Sequence, residues 1–120
     1  ASFLAGTTLS ETGPLLAKHQ QGLFNMPDVD HQTLAGAIST ATHGTGRELG
    51  SLSSYIEGLT LITSNGDVIK CSRSHKSELF ESAQVGLGAL GIISEINIQN
   101  TDAYRKITGI LSFSIFLLPA

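Results

Sequence analysis

Apolar positions along the chain switch between two periods. Residues 2 to 5 form a short apolar run closed by Gly6, and Thr8 with Glu11 has the S/T-x-x-E spacing that opens a helix. The spacing predicts a helix to about Gln20, with Leu15, Leu16 and His19 on one face and Gly22 at its stop. Pro14 lies beyond the first turn, where it removes a hydrogen bond, which moves the expected start toward Gly13. Period two takes over from Ser54 to Ser72. Tyr55, Ile56, Leu59, Leu61 and Ile62 predict a strand, Asn65-Gly66 a turn, and Val68 to Cys71 the returning strand of a hairpin. After Ser77, Leu79, Phe80 and Ala83 recur at helical spacing over Glu78 to about Val85. From Ile92 to Ile98, Ile92, Ser94, Ile96 and Ile98 alternate with Ile93, Glu95 and Asn97, the pattern of a strand with one buried face. The hairpin and this strand are expected in one antiparallel sheet.

Composition sets the limits around that pattern. The 120 residues suffice for one small domain, and 41% apolar with 14% charged residues describes a chain that folds. The net charge of -3 and seven scattered Lys and Arg residues leave no basic stripe for nucleic acid. Cys71 is the only cysteine, so an intrachain disulfide and a multi-cysteine metal site are excluded, and a reducing cytoplasm suits the chain. On a strand, Cys71 reads as an inert core thiol. The opening ASFLAGTTL has no charged leader, apolar run or initiator Met, and is expected to lie inside a longer protein. Residues 107 to 120 carry no charge, but their apolar stretch is shorter than the roughly 18 to 20 residues of a membrane span. No membrane partner is predicted, and a buried strand or an effect of truncation is the expected reading of that segment.

The candidate chemistry lies between Thr33 and Gly46, TLAGAISTATHGTG, where eleven of fourteen residues are Gly, Ala, Ser or Thr. Small side chains let a ligand reach backbone N–H groups, and hydroxyls add donors, which is how a diphosphate is held without Lys or Arg. Composition alone equally suits close packing of helices. His43 beside a glycine reads as structural rather than catalytic, and His31, Asp28 and Asp30 lack ordered metal-ligand spacing. Neither a catalytic nor a metal-binding residue is assigned. Gly86, Gly88 and Gly91 satisfy G-x-G-x-x-G, but a helix precedes them and a strand follows, the reverse of the dinucleotide fingerprint.

The order of the letters narrows the choice. PDVDHQTLAGAISTATHGTG, Pro27 to Gly46, closely resembles the second FAD-binding segment of the vanillyl-alcohol-oxidase-like (PCMH-type) flavoproteins, in particular the sugar-lactone and alditol oxidases. ELFESAQVGLGALGIISEINIQN, 78 to 100, is similar to the same family's helix, glycine turn and strand that pass the adenosine, and AGTTLSETGPLLAKHQQGL to its preceding helix. The resemblance implies a mixed α/β (α+β) fold, an antiparallel sheet flanked by helices that forms the second lobe of an FAD-binding domain over residues 1–106, with 107–120 unassigned. It implies FAD as cofactor and partner, held by Asp28, Thr33, Gly36, Ala37, Ser39, Thr42, His43, Gly44 and Thr45, with the Ile92 main chain at the adenine. It further implies oxidation of a CH–OH group of a sugar lactone or alditol, bound by a domain outside this chain. A non-catalytic FAD-binding or structural module is the alternative.

Overall fold

The computed structural model describes residues 1–104. Its centre is an antiparallel sheet of β1 (Ser2–Leu4), β3 (Ile56–Ile62), β4 (Val68–Ser72) and β5 (Ile92–Ile98) in the order β1-β5-β3-β4. Hairpin and β5 thus share one sheet, as the alternation requires. Three helices, α1 (Leu9–Ala17), α2 (Leu34–Ser39) and α3 (Ser77–Gln84), pack their apolar residues against it. A two-stranded ribbon of β2 (Gln21–Gly22) and β6 (Thr101–Asp102) lies beside α1. The mixed fold with an antiparallel sheet is the expected one. Among the described residues, no helix is long and apolar enough to cross a membrane. The uncharged segment 107–120, read as a buried strand, lies outside the described residues.

The core forms where strand and helix periods meet. Leu59, Leu61, Cys71, Ile96 and Ile98 from the sheet are buried with Leu9, Leu16, Leu34, Ala37, Ile38, Phe80 and Ala83 from the helices. The opposite face of the sheet carries Lys70, Thr60 and Glu95 in one row and Ser72, Gly58 and Asn97 in the next. Cys71 Sγ sits 3.8 Å from the Leu59 carbonyl, and burial pushes its thiol pKa up, in keeping with an inert core group.

Two expectations change. α1 begins at Leu9, not near Gly13, because the Glu11 carboxylate accepts hydrogen bonds from the Thr8 backbone N–H and hydroxyl, both at 2.8 Å. That start places Pro14 mid-helix, where it leaves the Ser10 carbonyl without its helical donor. The buried face is then Leu9, Thr12 and Leu16, while Leu15 and His19 are exposed, and the helix ends at Ala17 rather than Gln20. Gln20 takes a left-handed conformation, and Gly22 belongs to the ribbon rather than to a helix stop.

The second change is in β5. Thr60 pairs with Glu95 and Leu61 with Ile93, so Ser94 is the extra residue of a bulge. Beyond it the alternation inverts: Ile93 packs on the core with Ile96 and Ile98, and Ile92 is 71% exposed. The hairpin turns at Asn65-Gly66, as expected. Gly66 N–H donates to the Thr63 carbonyl at 2.9 Å and Thr63 N–H to the Asp67 carbonyl at 3.0 Å, giving a five-residue loop with Gly66 left-handed, wider than a two-residue Asn-Gly turn.

Candidate functional site

The small-residue stretch divides into a helix and a loop. Thr33 caps α2, its Oγ1 accepting from Gly36 N–H at 3.2 Å, and Leu34 and Ile38, one turn apart, are fully buried. The amides at the start of α2 are occupied by the protein itself. Leu34 N–H donates to the Thr7 carbonyl (2.8 Å), Ala35 to Ala5 (3.1 Å) and Ala37 to Thr33 (2.9 Å). Ala37 is fully buried, and Gly36 is exposed. The premise that small side chains leave amides open therefore does not hold over residues 34 to 37. There the small residues let α2 sit close against the sheet and β1.

α2 ends in a Schellman motif. Ala41 N–H donates to Ile38 O (3.2 Å) and Thr42 N–H to Ala37 O (2.9 Å), with Ala41 left-handed at φ 54°, a place usually held by glycine. Thr42 also fixes the loop that follows, accepting from Leu52 N–H on its carbonyl at 2.9 Å and meeting Gln32 Oε1 through its hydroxyl at 3.2 Å.

Past Thr42 the bonding pattern changes. Among the described residues, the backbone N–H groups of His43, Gly44, Thr45 and Gly46 have no intramolecular partner. Neither do the hydroxyls of Ser39 and Thr45. His43 Nδ1 donates to the Gly44 carbonyl at 2.9 Å, so the ring braces this loop. Gly44 cannot be replaced without movement, since a Cβ there would collide with the Met26 carbonyl oxygen and Asn25 Oδ1. Four successive unspent amides in a segment of small residues are donors of the kind that can hold a diphosphate.

Backbone bonds through Ala5 tie the start of β5, where Ile92 stands, to the start of α2. Ala35 N–H donates to Ala5 O, and Ala5 N–H to Ser94 O at 3.0 Å, which joins the start of α2 to the start of β5. The glycine turn before Ile92 is closed by Ala89 N–H to Gly86 O at 2.9 Å, with Leu87 and Gly88 both at positive φ, a type I′ geometry. Gly91, at φ 134°, abuts the Ile62 carbonyl so closely that a Cβ would overlap it. The turn lies between α3 and β5, which confirms that its glycines are not a dinucleotide fingerprint. Asp28 is exposed in the loop before α2. Among the described residues no three potential metal ligands come together.

Sequence reasoning missed Asn25, which is 3% exposed. Its Nδ2 donates to the Gly50 carbonyl at 3.2 Å and its Oδ1 accepts from Met26 N–H at 3.0 Å, beside the Cα of Gly44. No local pattern marks such a residue, because its partners are distant in sequence. Phe24 and Tyr55 stack beside it, centroids 4.8 Å apart.

A profile of the FAD binding domain matches residues 1–72, more than half of the chain. The chain belongs to the FAD binding domain family. Among curated proteins it is similar to L-gulonolactone oxidase of Bos taurus, 40% identical over 95 residues, which are 79% of this chain and 22% of that protein. L-gulono-1,4-lactone dehydrogenase of Mycobacterium tuberculosis is 41% identical over 99 residues, 82% of this chain and 22% of the relative. A putative D-arabinono-1,4-lactone oxidase of Neurospora crassa is 36% identical over 100 residues, 83% and 18%. The chain thus spans about a fifth of the length of these relatives. The resemblance to the sugar-lactone oxidase branch is borne out, and FAD is the cofactor the family binds.

Proposed function

We propose that this chain is part of an FAD-dependent oxidoreductase acting on a CH–OH group of a sugar lactone or alditol, and that it contributes contacts to the FAD diphosphate and adenosine. The observation that carries the reading is the row of unspent amides from His43 to Gly46, set in a segment where small residues give a ligand room to approach. The residues fit the cofactor: N–H donors replace cations at an anionic diphosphate, and the partnerless hydroxyls of Ser39 and Thr45 add to them. In this reading Thr33, Gly36 and Ala37 shape the cradle through α2, Thr42 and His43 brace the loop, and the Ile92 main chain meets the adenine. Asp28 stays a candidate contact from the loop before α2. The names of the relatives support a sugar lactone as substrate class.

The chemistry that FAD supplies when bound is acceptance of a hydride from the CH–OH carbon. This chain's part is to hold and orient; no catalytic side chain is assigned to it. Residues 1–106 are taken as a partial FAD-binding domain, 107–120 stay unassigned, and a reducing cytoplasm is the proposed setting for a chain with one thiol.

The test is to incubate the chain with excess FAD, separate free cofactor by gel filtration, and measure flavin absorbance and peroxide release with L-gulonolactone, D-arabinonolactone and xylitol. A ligand site normally covers about 70 to 90% of its ligand, and a chain holding only part of that surface loses affinity by orders of magnitude. The expected result is weak, saturable binding seen by fluorescence titration, little flavin retained, and no turnover. Absence of any saturable FAD binding would count against the assignment. Stoichiometric flavin with peroxide release would show that this chain does more than hold the cofactor.

A further inference from the structure

The loop that bears the unspent amides, Gly44 to Gly50, begins and ends on one buried side chain. At its start Gly44 abuts Asn25 Oδ1 and the Met26 carbonyl so closely that no Cβ fits. At its end the Gly50 carbonyl accepts from Asn25 Nδ2 at 3.2 Å. The Gly50 N–H donates to the Tyr55 hydroxyl at 3.0 Å, and the Tyr55 ring stacks on Phe24, the neighbour of Asn25, at an interplanar angle of 10°. A closed circuit results, Phe24 to Asn25 to Gly50 to Tyr55 and back to Phe24. Between its two anchored ends the loop carries only exposed side chains, Thr45, Arg47, Glu48 and Leu49 among them. Within the loop, Leu49 N–H donates to the Gly46 carbonyl at 3.2 Å and His43 Nδ1 to the Gly44 carbonyl at 2.9 Å; only the ends are tied to the buried core.

We propose that Asn25 is a positioning residue for the cofactor, fixing both ends of the Gly44–Gly50 loop so that the His43 to Gly46 amides stand ready for a diphosphate. This rests on the FAD reading above. A buried amide side chain is costly unless both its donor and its acceptor are used. Asn25 uses both, its acceptor on the N–H of its neighbour Met26, whose carbonyl also abuts Gly44, and its donor on the Gly50 carbonyl at the end of the loop. Aspartate would keep Oδ1 but lose the donor to Gly50, and alanine would lose both. Preorganised donors bind an anion without the entropic cost of ordering a loop, so a loosened loop binds more weakly even when every donor is still present.

The experiment compares the whole chain as wild type, Asn25→Ala, Asn25→Asp and Thr12→Val. Thr12 is buried in α1 and bonds only within that helix, so Thr12→Val supplies a stability perturbation remote from the loop. Amide resonances of His43 to Gly46 are recorded without FAD, and FAD affinity is measured by fluorescence titration. The Asn25 variants are expected to shift or broaden those resonances and to weaken FAD by about tenfold or more, while Thr12→Val changes neither. If Asn25→Ala does not fold, Asn25→Asp carries the comparison. Unmoved resonances in a folded Asn25 variant overturn the proposal, and so does unchanged FAD affinity. If FAD binds elsewhere in the wild type, its addition leaves residues 43 to 46 unmoved, and the functional reading fails; the cofactor-free spectra still decide whether Asn25 sets the loop.

Discussion

Two neighbouring pieces of one small-residue stretch behave in opposite ways. From Thr33 to Thr42 the small side chains serve packing: Ala37 and Ile38 are fully buried, and the amides of residues 34 to 37 are bonded to Thr7, Ala5, Gly36's own cap Thr33 and the Thr33 carbonyl. From His43 to Gly46 the residues are exposed or half-buried, and their amides have no partner among the described residues. Both pieces are dominated by Gly, Ala, Ser and Thr, eight of ten residues in the first and three of four in the second. The difference teaches that a run of Gly, Ala, Ser and Thr states only that backbone can come close to something. In the first piece that something is the protein's own sheet and β1; in the second, by our reading, it is FAD.

The largest effect expected from this contrast comes from the packed piece. Ile38→Ala should destabilise the chain by about 2–5 kcal/mol, read from urea unfolding, as removal of a fully buried aliphatic side chain does. A change under 1 kcal/mol would mean that α2 is not part of the core. In the loop piece, Gly44→Ala must push a Cβ into the Met26 carbonyl and Asn25, and forced overpacking of this sort costs about 1–3 kcal/mol. Its distinguishing feature is a loss of FAD affinity larger than any loss caused by Ile38→Ala at a temperature where both are folded. Equal effects on FAD would erase the division between the two pieces.

At the joint between them, Ala41→Gly should raise stability by about 0.5–1 kcal/mol, because alanine is strained in the left-handed conformation and glycine is not. A lower thermal midpoint would show that the Schellman geometry is not maintained. The smallest effect lies outside both pieces and serves as their control. The Glu11 carboxyl is held below the ordinary carboxylate range, first by the Thr8 backbone hydrogen bond and then by the Thr8 hydroxyl. A lowered folded-state pKa means that this capping contribution is full above the ordinary range and is lost as pH falls through the folded value. Acid titration of wild type against Glu11→Gln should therefore converge at low pH, with FAD binding above that range the same in both.

How much of this was legible in the sequence depends on how local each cause is. The hairpin from Ile56 to Ser72 and helix α3 follow from side-chain periods and an Asn-Gly pair, all read within a few residues. The inversion of β5 was not legible, because Ser94 becomes an extra residue only once Glu95 is paired with Thr60. Helix α2 hid among small residues, its sole local marks being Leu34 and Ile38 one turn apart after Thr33. In the candidate site, the stretch 33 to 46 was visible from its letters, but which of its amides are spent was not. That depends on Ala5 and Thr7, brought there by tertiary packing. The unsuspected role of Asn25 has the same origin.

FAD is expected to lie on the second piece and not on the start of the first. Residue-resolved amide hydrogen exchange with and without saturating FAD tests it directly. FAD-dependent slowing is expected at His43, Gly44, Thr45 and Gly46, with Leu34 to Ala37 already slow and unchanged. Slowing confined to residues 34 to 37, or absent from 43 to 46 while FAD is bound, would contradict it.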